Sequence, residues 1–547
     1  MSAEELIPIG IDLGSLHARV AIGNVSHHKA PSKGTEDTRP LPNVISNAQG
    51  SRYTLALVGS DKISTDEDAG SSDDVRHIFG EAARRALARA KKPTISKDPS
   101  SLVRELVKSS SSIDGGDENK SSAAAAFFAH LADLACDASS SHPSKLRAVV
   151  SVTVDASPEE QASVVETIEA GVNEALKARS ADQVKSKKKQ KEEDAIVVGV
   201  ITDPAAVCIA HGLTEIENSD AMDLVAVSPD TPSTNWMNAL VVDWGASGLT
   251  ATHMSRTSPN SSLLTIVKHA TDASCSGTAI VNTLVSHCAS MFERKNKVTG
   301  VLDSVKSHHR LEIACESAVR ALSRAATTSV SIDGLYEGID LNVPISRPRF
   351  DMMVSGLLKK AETLLQSFSE DSGKFDVVLL AGNVCDMPSA VNLIRTKLFP
   401  DASSGRGDVP ADEAVAIGCA RHAASILSCQ THSTAGGKSA DKAIGPSTRK
   451  VKACPVNVGI AKSGDEENAV PLIEVGQALP ANVTRSFNFN SGEEVVIVQM
   501  NGGAAKSSKV LGRVDKLPAA KSFEITMELS ATGKLSLSVN GGPASTL

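Results

Sequence analysis

Aromatic residues make up only 3% of this 547-residue chain, and Trp236, Trp244, Tyr53 and Tyr336 are the only tryptophans and tyrosines. So few π-faces argue against a base-stacking surface, and a net charge of −8 gives no whole-chain basic footprint for nucleic acid, so no direct DNA partner is expected. The nine cysteines form no C-x-x-C pair and are odd in number. They read as buried thiols in a reducing compartment, not as a disulfide framework or zinc site. The fourteen histidines include no H-x-x-x-H pair for a metal-binding helix, so no metal ligand is assigned. His27-His28 and His308-His309 are expected on polar surface. No apolar run nears the roughly 20 residues of a membrane span, and Met1 to Glu5 lacks the basic start and apolar core of a signal peptide. The expected location is the cytoplasm, away from membranes.

Present instead is an ordinary globular balance, 41% apolar and 22% charged, over a length that calls for two to four domains. Two stretches share one design. Leu240-Val241-Val242-Asp243-Trp244-Gly245-Ala246-Ser247-Gly248 is an apolar run ending in an acid and a Gly-rich turn, as is Ile7-Pro8-Ile9-Gly10-Ile11-Asp12-Leu13-Gly14-Ser15. Each reads as a buried strand delivering a carboxylate and exposed backbone N–H groups to a sheet edge. Their repetition suggests a duplicated α/β unit with a ligand held between the halves.

Helical patterns are expected over 80–90, 123–138, 276–294 and 308–327, and a serine-rich flexible loop over 109–122. Ser157-Pro158-Glu159-Glu160 is a helix start with Ser as N-cap, Pro first and acids in the first turn. Asp203 is placed to cap the helix opened by Asp203-Pro204-Ala205-Ala206, and Asp412-Glu413-Ala414 begins an N-capped helix with a small-residue face. The lysine-rich run from Lys185 to Lys191 reads as a solvated loop, with a ribosomal contact as the alternative. A polar stretch over 429–450 reads as a linker. From 451 to 547, short β-type runs separated by Gly, Asn and Pro indicate an all-β domain.

These pieces fall in an order that resembles the actin-like ATPase domain of the seventy-kilodalton heat-shock chaperone family. The most specific passages are Ala314-Cys315-Glu316-Ser317-Ala318-Val319-Arg320-Ala321-Leu322-Ser323 and Val330 to Asp340. The resemblance implies a two-lobed α/β actin-like nucleotide-binding domain over 1–428. After the linker it implies a small β-sandwich of substrate-binding type over 451–547, with no helical lid. It implies ATP as ligand and leaves magnesium open. By this resemblance Asp12, Gly14, Ser15, Leu16 and His17 fall on the first phosphate loop, and Asp243, Gly245 and Ala246 on the second. Glu316, Arg320 and Ser323 fall on the adenosine-binding face of one helix, while Gly382, Asn383 and Asp412 close the other side. For Glu316 and Arg320, a plain surface ion pair of about 0.3–0.5 kcal/mol is the competing reading.

Departures from the family pattern matter as much. Gly248 and Thr250 stand where active members carry Thr and Asp, Asp203 replaces a catalytic Glu, and Leu16 and His17 replace Thr and Tyr. Only Arg104 is in register for the family's lysine, and the linker lacks the apolar docking segment. Losing one preorganised donor typically costs about 10²–10³ in rate, so no catalytic residue is assigned and hydrolysis near background is expected. The pattern resembles the atypical Ssz-type subgroup of fungi. That implies a cytoplasmic, ribosome-associated co-chaperone in a stable heterodimer with a zuotin-like J-domain partner. Such a complex stimulates a separate ATPase-active chaperone on nascent chains. The alternatives are a catalytically active, ATP-dependent peptide-binding chaperone, an actin-fold kinase and a nucleotide-exchange factor.

Overall fold

The computed structural model describes residues 6–24, 40–62, 75–89, 118–181, 196–213, 236–256, 264–372 and 374–433, together with the strands and short turns named below between 452 and 546. The lysine-rich run, Arg104 and residues 434–450 lie outside the described residues.

The first sheet is built from β1 (Ile7–Leu13), β2 (His17–Ile22), β3 (Asn43–Val44), β4 (Thr54–Leu55), β7 (Leu146–Val152) and β8 (Val197–Thr202). The order is β3-β2-β1-β7-β8, with β4 also on β2; β1 pairs antiparallel with β2 and parallel with β7, and β7 runs parallel to β8. A separate hairpin, β5 (Val58–Lys62) and β6 (Val75–Phe79), leads into helix α1 (Gly80–Arg89). Helices α2 (Glu118–Ser139) and α3 (Pro158–Ala181) make the crossovers, and their Phe127, Phe128, Leu131, Val165, Ile168 and Val172 pack on Ile9, Ile11, Ala18 and Val20. A short α4 (Asp203–Ala210) follows β8.

A second sheet repeats the plan. The hairpin β9 (Asn238–Trp244) and β10 (Leu249–Arg256) carries β11 (Leu264–Asp272) on one side, and β14 (Val377–Ala381) runs parallel to β9 on the other. Its outer face packs on α5 (Gly277–Asn296), α6 (Val305–Arg324), the hairpin β12 (Thr327–Tyr336) and β13 (Ile339–Ser346), and α7 (Arg347–Ser372). Between the sheets lies a core of small residues from α4 and from α8 (Ala414–Ser433), which includes Ala206, Ala210, Ala416 and Ala420. The approach is too close for side chains. A Cβ on Gly418 would stand 1.8 Å from the Ala206 carbonyl oxygen, and one on Gly10 2.2 Å from the Ala420 nitrogen.

Between 452 and 546 the described residues form strands, turns and short loop positions, with no helix among them. One sheet is β17 (Val470–Ile473), β16 (Asn457–Lys462), β20 (Val495–Met500) and β21 (Ser508–Arg513). The other is β19 (Ala481–Asn488), β22 (Ser522–Leu529), β23 (Leu535–Val539) and β24 (Ser545–Thr546); β15 (Lys452–Ala453) pairs with β18 (Ala478–Leu479). Val458, Ile460 and Ile497 from one sheet share a buried cluster with Ile525, Met527 and Leu537 from the other, the two-sided packing that alternating strands produce.

Several boundaries differ from the expectation. The helix before the linker runs to Ser433, so residues 429–433 are helical and the linker cannot begin at 429; a Ser/Thr-rich composition is only a weak brake on a helix already anchored by buried alanines. Likewise α2 begins at Glu118, inside the serine-rich stretch. Asp203 does not cap: Thr202 is the N-cap, without a side-chain cap bond, and Asp203 is the first helical residue. Nor does Asp412 lead directly into α8, which starts at Ala414. At Ser157 the expectation holds. Its Oγ accepts from the Glu160 amide at 3.2 Å, and the Glu160 carboxylate accepts from the Ser157 amide at 3.2 Å, a reciprocal capping box.

Candidate nucleotide cleft

Strand alternation decides which side chains reach the cleft. On β1 and β2, Ile9, Ile11, Ala18 and Val20 point into the α2/α3 core, so Asp12, His17 and Arg19 share the opposite face. Asp12 and Arg19 are register partners, directly opposite each other in the hairpin. On β9, Leu240, Val242 and Trp244 belong to the outer core. Asp243 therefore shares the inner face with Ala239 and Val241.

The two hairpin turns face each other: the Ser15 hydroxyl donates to the Ser247 hydroxyl at 2.7 Å. Leu16 turns away, packing with Leu55, Leu57 and Ala83. In the second turn the Gly245 N–H donates to the Gly248 carbonyl at 3.0 Å. The carbonyls of Gly245 and Ala246 accept the first two amides of α5, Gly277 N at 2.9 Å and Thr278 N at 3.0 Å. The Gly245 amide, expected to be exposed, is thus engaged inside the turn. Gly382 has φ +84° and a Cβ there would sit 2.4 Å from the Trp244 carbonyl oxygen, so only glycine carries β14 past the second turn. Asn383 follows at the start of a short 3₁₀ turn.

Glu316, Arg320 and Ser323 do lie on one helix, α6. Glu316 pairs with Arg84 of α1, and with Arg320 at 2.8 Å. Arg320 also donates to the Tyr53 hydroxyl and to His17 Nε2 (2.8 Å), with its guanidinium carbon 4.5 Å from the Tyr53 ring centroid. More than a pair within one helix, Glu316 and Arg320 join α6 to α1, β2 and the loop before β4. Ser323 differs: its hydroxyl donates to the Val319 carbonyl of its own helix at 3.4 Å. Tyr53 is held by a loop that Asn47 organises, its side chain donating to the Tyr53 carbonyl (2.8 Å) and accepting from the Gln49 and Ser51 amides.

Arg320 has only donors to offer, so the His17 Nε2 it faces must be the acceptor and the ring is neutral with its proton on Nδ1. This agrees with the direction of the His17 pKa. Burial, aided by the charges of Arg320 and Arg19, lowers it to about 4 against the opposing pull of Glu316. The 3.5 Å approach of His17 to Glu316 is then not an ion pair at neutral pH. For Glu316 itself burial opposes ionisation, but the paired guanidiniums of Arg84 and Arg320 outweigh it, leaving the carboxyl well below the usual range.

Arg19 lies at the centre. It is buried, its Nη2 donates to Asp412 Oδ2 (3.0 Å) and Asn383 Oδ1 (3.2 Å), and its Nη1 lies 3.8 Å from Asp12 Oδ2. It thereby links the first sheet to the elements that follow β14. Further acids surround it: burial and the Asp412 charge push Asp386 up, and burial pushes Glu413 up against the pull of Arg52. Among the described residues no three His, Cys, Asp or Glu side chains are grouped to hold a metal ion. Arg19 stands 3.8 Å from the carboxylate of Asp12, which the resemblance places on the first phosphate loop, so the residues present do not fit a cation there. Arg19, Tyr53, Arg84 and Ser247 were not singled out from the sequence. The one available signal was Arg19, a charge inside an otherwise apolar strand.

Comparison with known proteins agrees with this architecture. Residues 195–435 match the family model described as Hsp70 protein. The chain is 28% identical over 355 residues to a heat shock 70 kDa protein of Ajellomyces capsulatus, covering 62% of this chain and 46% of that one. It is 27% identical to one from Penicillium citrinum, covering 63% and 64%, and 26% identical to heat shock 70-related protein 5 of Dictyostelium discoideum, covering 62% and 64%. The match thus spans between about half and just under two thirds of these relatives' own lengths. Residues 195–435 carry an Hsp70-family domain, and Hsp70 proteins at about 27% identity are homologues of this chain.

Proposed function

We propose that this chain is an Hsp70-family co-chaperone that binds ATP in the cleft between its two sheets without appreciable hydrolysis. In this reading it forms a stable heterodimer with a zuotin-like J-domain protein, as the Ssz-type subunit of a cytoplasmic ribosome-associated complex. That complex stimulates a separate chaperone ATPase during nascent-chain folding, and the C-terminal sheets act as a substrate-binding-type domain.

The observation that carries the non-hydrolysing reading is the second turn. Gly248 presents no side chain, and a Cβ there would lie 3.1 Å from the Asp272 carbonyl oxygen. Thr250 pairs across the hairpin with Asp243, its hydroxyl 3.3 Å from that of Thr271. Phosphoryl transfer depends on positioned charge and donors, and this turn offers no hydroxyl at 248 and no carboxylate at 250. A single-turnover assay on the purified chain is expected to give background hydrolysis alongside measurable ATP binding. Turnover at the rate of active chaperones would overturn the reading, as would native purification without a stoichiometric J-domain partner.

One observation favours a second reading. Glu316 and Arg320, assigned to adenosine, already have protein partners in Arg84, His17 and Tyr53. In that reading the cleft is latched by protein contacts and takes no nucleotide. Calorimetry showing no ATP binding, with the partner still bound, would identify it.

A further inference from the structure

Within the nucleotide-binding reading, on which this inference rests, we propose that Arg19 is the resident cation of the cleft and that ATP binding here needs no divalent metal. A metal-dependent phosphate site requires a cation that can stand between the acids of the two lobes and the phosphate oxygens. In this chain a guanidinium is already there. Arg19 is the cross-strand partner of Asp12 and reaches Asp412 and Asn383 from the other side of the cleft.

Three features point the same way. First, Arg19 is fixed. It is 6% exposed, is anchored on a paired strand and lies 5.9 Å from the Tyr53 ring centroid. It therefore brings its charge without the ordering cost of a mobile surface side chain. Second, its Nε is buried with no hydrogen-bond partner among the described residues. A buried guanidinium donor left unmatched is costly, and a planar guanidinium fork suits phosphate oxygens. Third, a divalent cation placed at Asp12 would sit against this guanidinium, and two like charges at a few ångströms in a partly dry cleft repel strongly. Arg19 thus supplies the charge and excludes its competitor. Ser15 and Ser247, joined across the two turns, lie where the remaining phosphate oxygens would find hydroxyl donors.

The test is calorimetric ATP titration of the full chain, once with excess magnesium and once with excess EDTA. For the wild-type chain the two affinities should agree within about threefold, far less than the ~1.4 kcal/mol of a tenfold change. Arg19→Gln should bind at least about tenfold more weakly in EDTA and recover in part when magnesium is restored, because the vacated place can then take the metal. Arg19→Lys, which keeps a point charge but not the fork, should retain metal-independent binding at reduced affinity and covers the case in which the glutamine variant does not fold. Two results would overturn the proposal: wild-type affinity falling about tenfold or more in EDTA, or Arg19→Gln binding like wild type there. Absence of wild-type binding under both conditions would instead remove the nucleotide-binding reading itself, and this inference with it.

Discussion

The residues joining the two lobes are titratable, and their protonation gives the fold a pH dependence of definite sign. His17 is held at about 4, chiefly by burial. His211 is likewise lowered to about 4 by burial and the charges of Arg395, Arg406 and Arg421, and its Nδ1 accepts the Arg406 amide at 3.1 Å. Both fold neutral. As pH falls below about 6.5 the unfolded chain takes up protons that the folded chain refuses until about 4. Stability is therefore whole above 6.5 and declines between 6.5 and 4, by at most about 3 kcal/mol for each ring. Glu316, held low in the folded state, adds a loss of the same sign once the pH passes below the ordinary carboxylate range. The urea midpoint should fall between pH 7 and pH 5, and His17→Gln, whose amide oxygen can still accept from Arg320, should flatten part of that slope. An unchanged midpoint would refute the neutral assignment.

At the scale of elements, what positions the cleft is the wedge of α4 and α8 between two sheets. The wedge works because the contact positions carry almost no side chain: Gly418 meets the Ala206 backbone, and Gly10 and Gly23 meet Ala420. Gly418→Ala places a methyl where backbone already stands, and neither helix can shift without dragging its sheet. The expected cost is upward of about 3 kcal/mol, read as a drop of many degrees in melting temperature or loss of soluble protein. Gly356→Ala, where nothing lies within 4 Å of the added carbon, is the control and should be neutral or slightly stabilising on the surface of α7. This wedge was only half legible in the sequence. The small residues of α8 were visible as a face, but which backbone they approach is a tertiary fact.

At the scale of the whole molecule, the repeated hairpin and parallel strand place Asp12 and Asp243 on the inner faces of two sheets that share one small-residue core. A ligand bound there touches both lobes and must stabilise the closed arrangement. ATP at about 100 times its Kd adds about 2.7 kcal/mol to the folded state, so the melting temperature of the full chain should rise by a few degrees with ATP. No rise at saturating nucleotide would favour the self-latched reading. The Hsp70 family model covers 195–435, which holds the second turn, the Glu316/Arg320 helix, Asn383 and Asp412 of the expected cleft.

The sequence by itself determined the pieces. Apolar runs ending in Asp and Gly had to become buried strands with tight turns, since no other local structure hides such runs while freeing the acid. Ser157 with Glu160 determined a helix start, and alternation after residue 451 determined strands, because these signals act over a few residues. Only the tertiary structure decided the partners. Glu316 and Arg320 lie four apart on a helix and satisfy each other in sequence terms, yet their decisive contacts come from Arg84, His17 and Tyr53, hundreds of residues away. In the sequence Arg19 is one charge in the run Ala18-Arg19-Val20-Ala21-Ile22. It became the centre of the cleft because pairing with β1 set it opposite Asp12, and closure of the second lobe brought Asp412 and Asn383 to its other side. Long-range electrostatic pairing depends on distances that no local pattern encodes, so the composition of the cleft could be read from the sequence and its wiring could not.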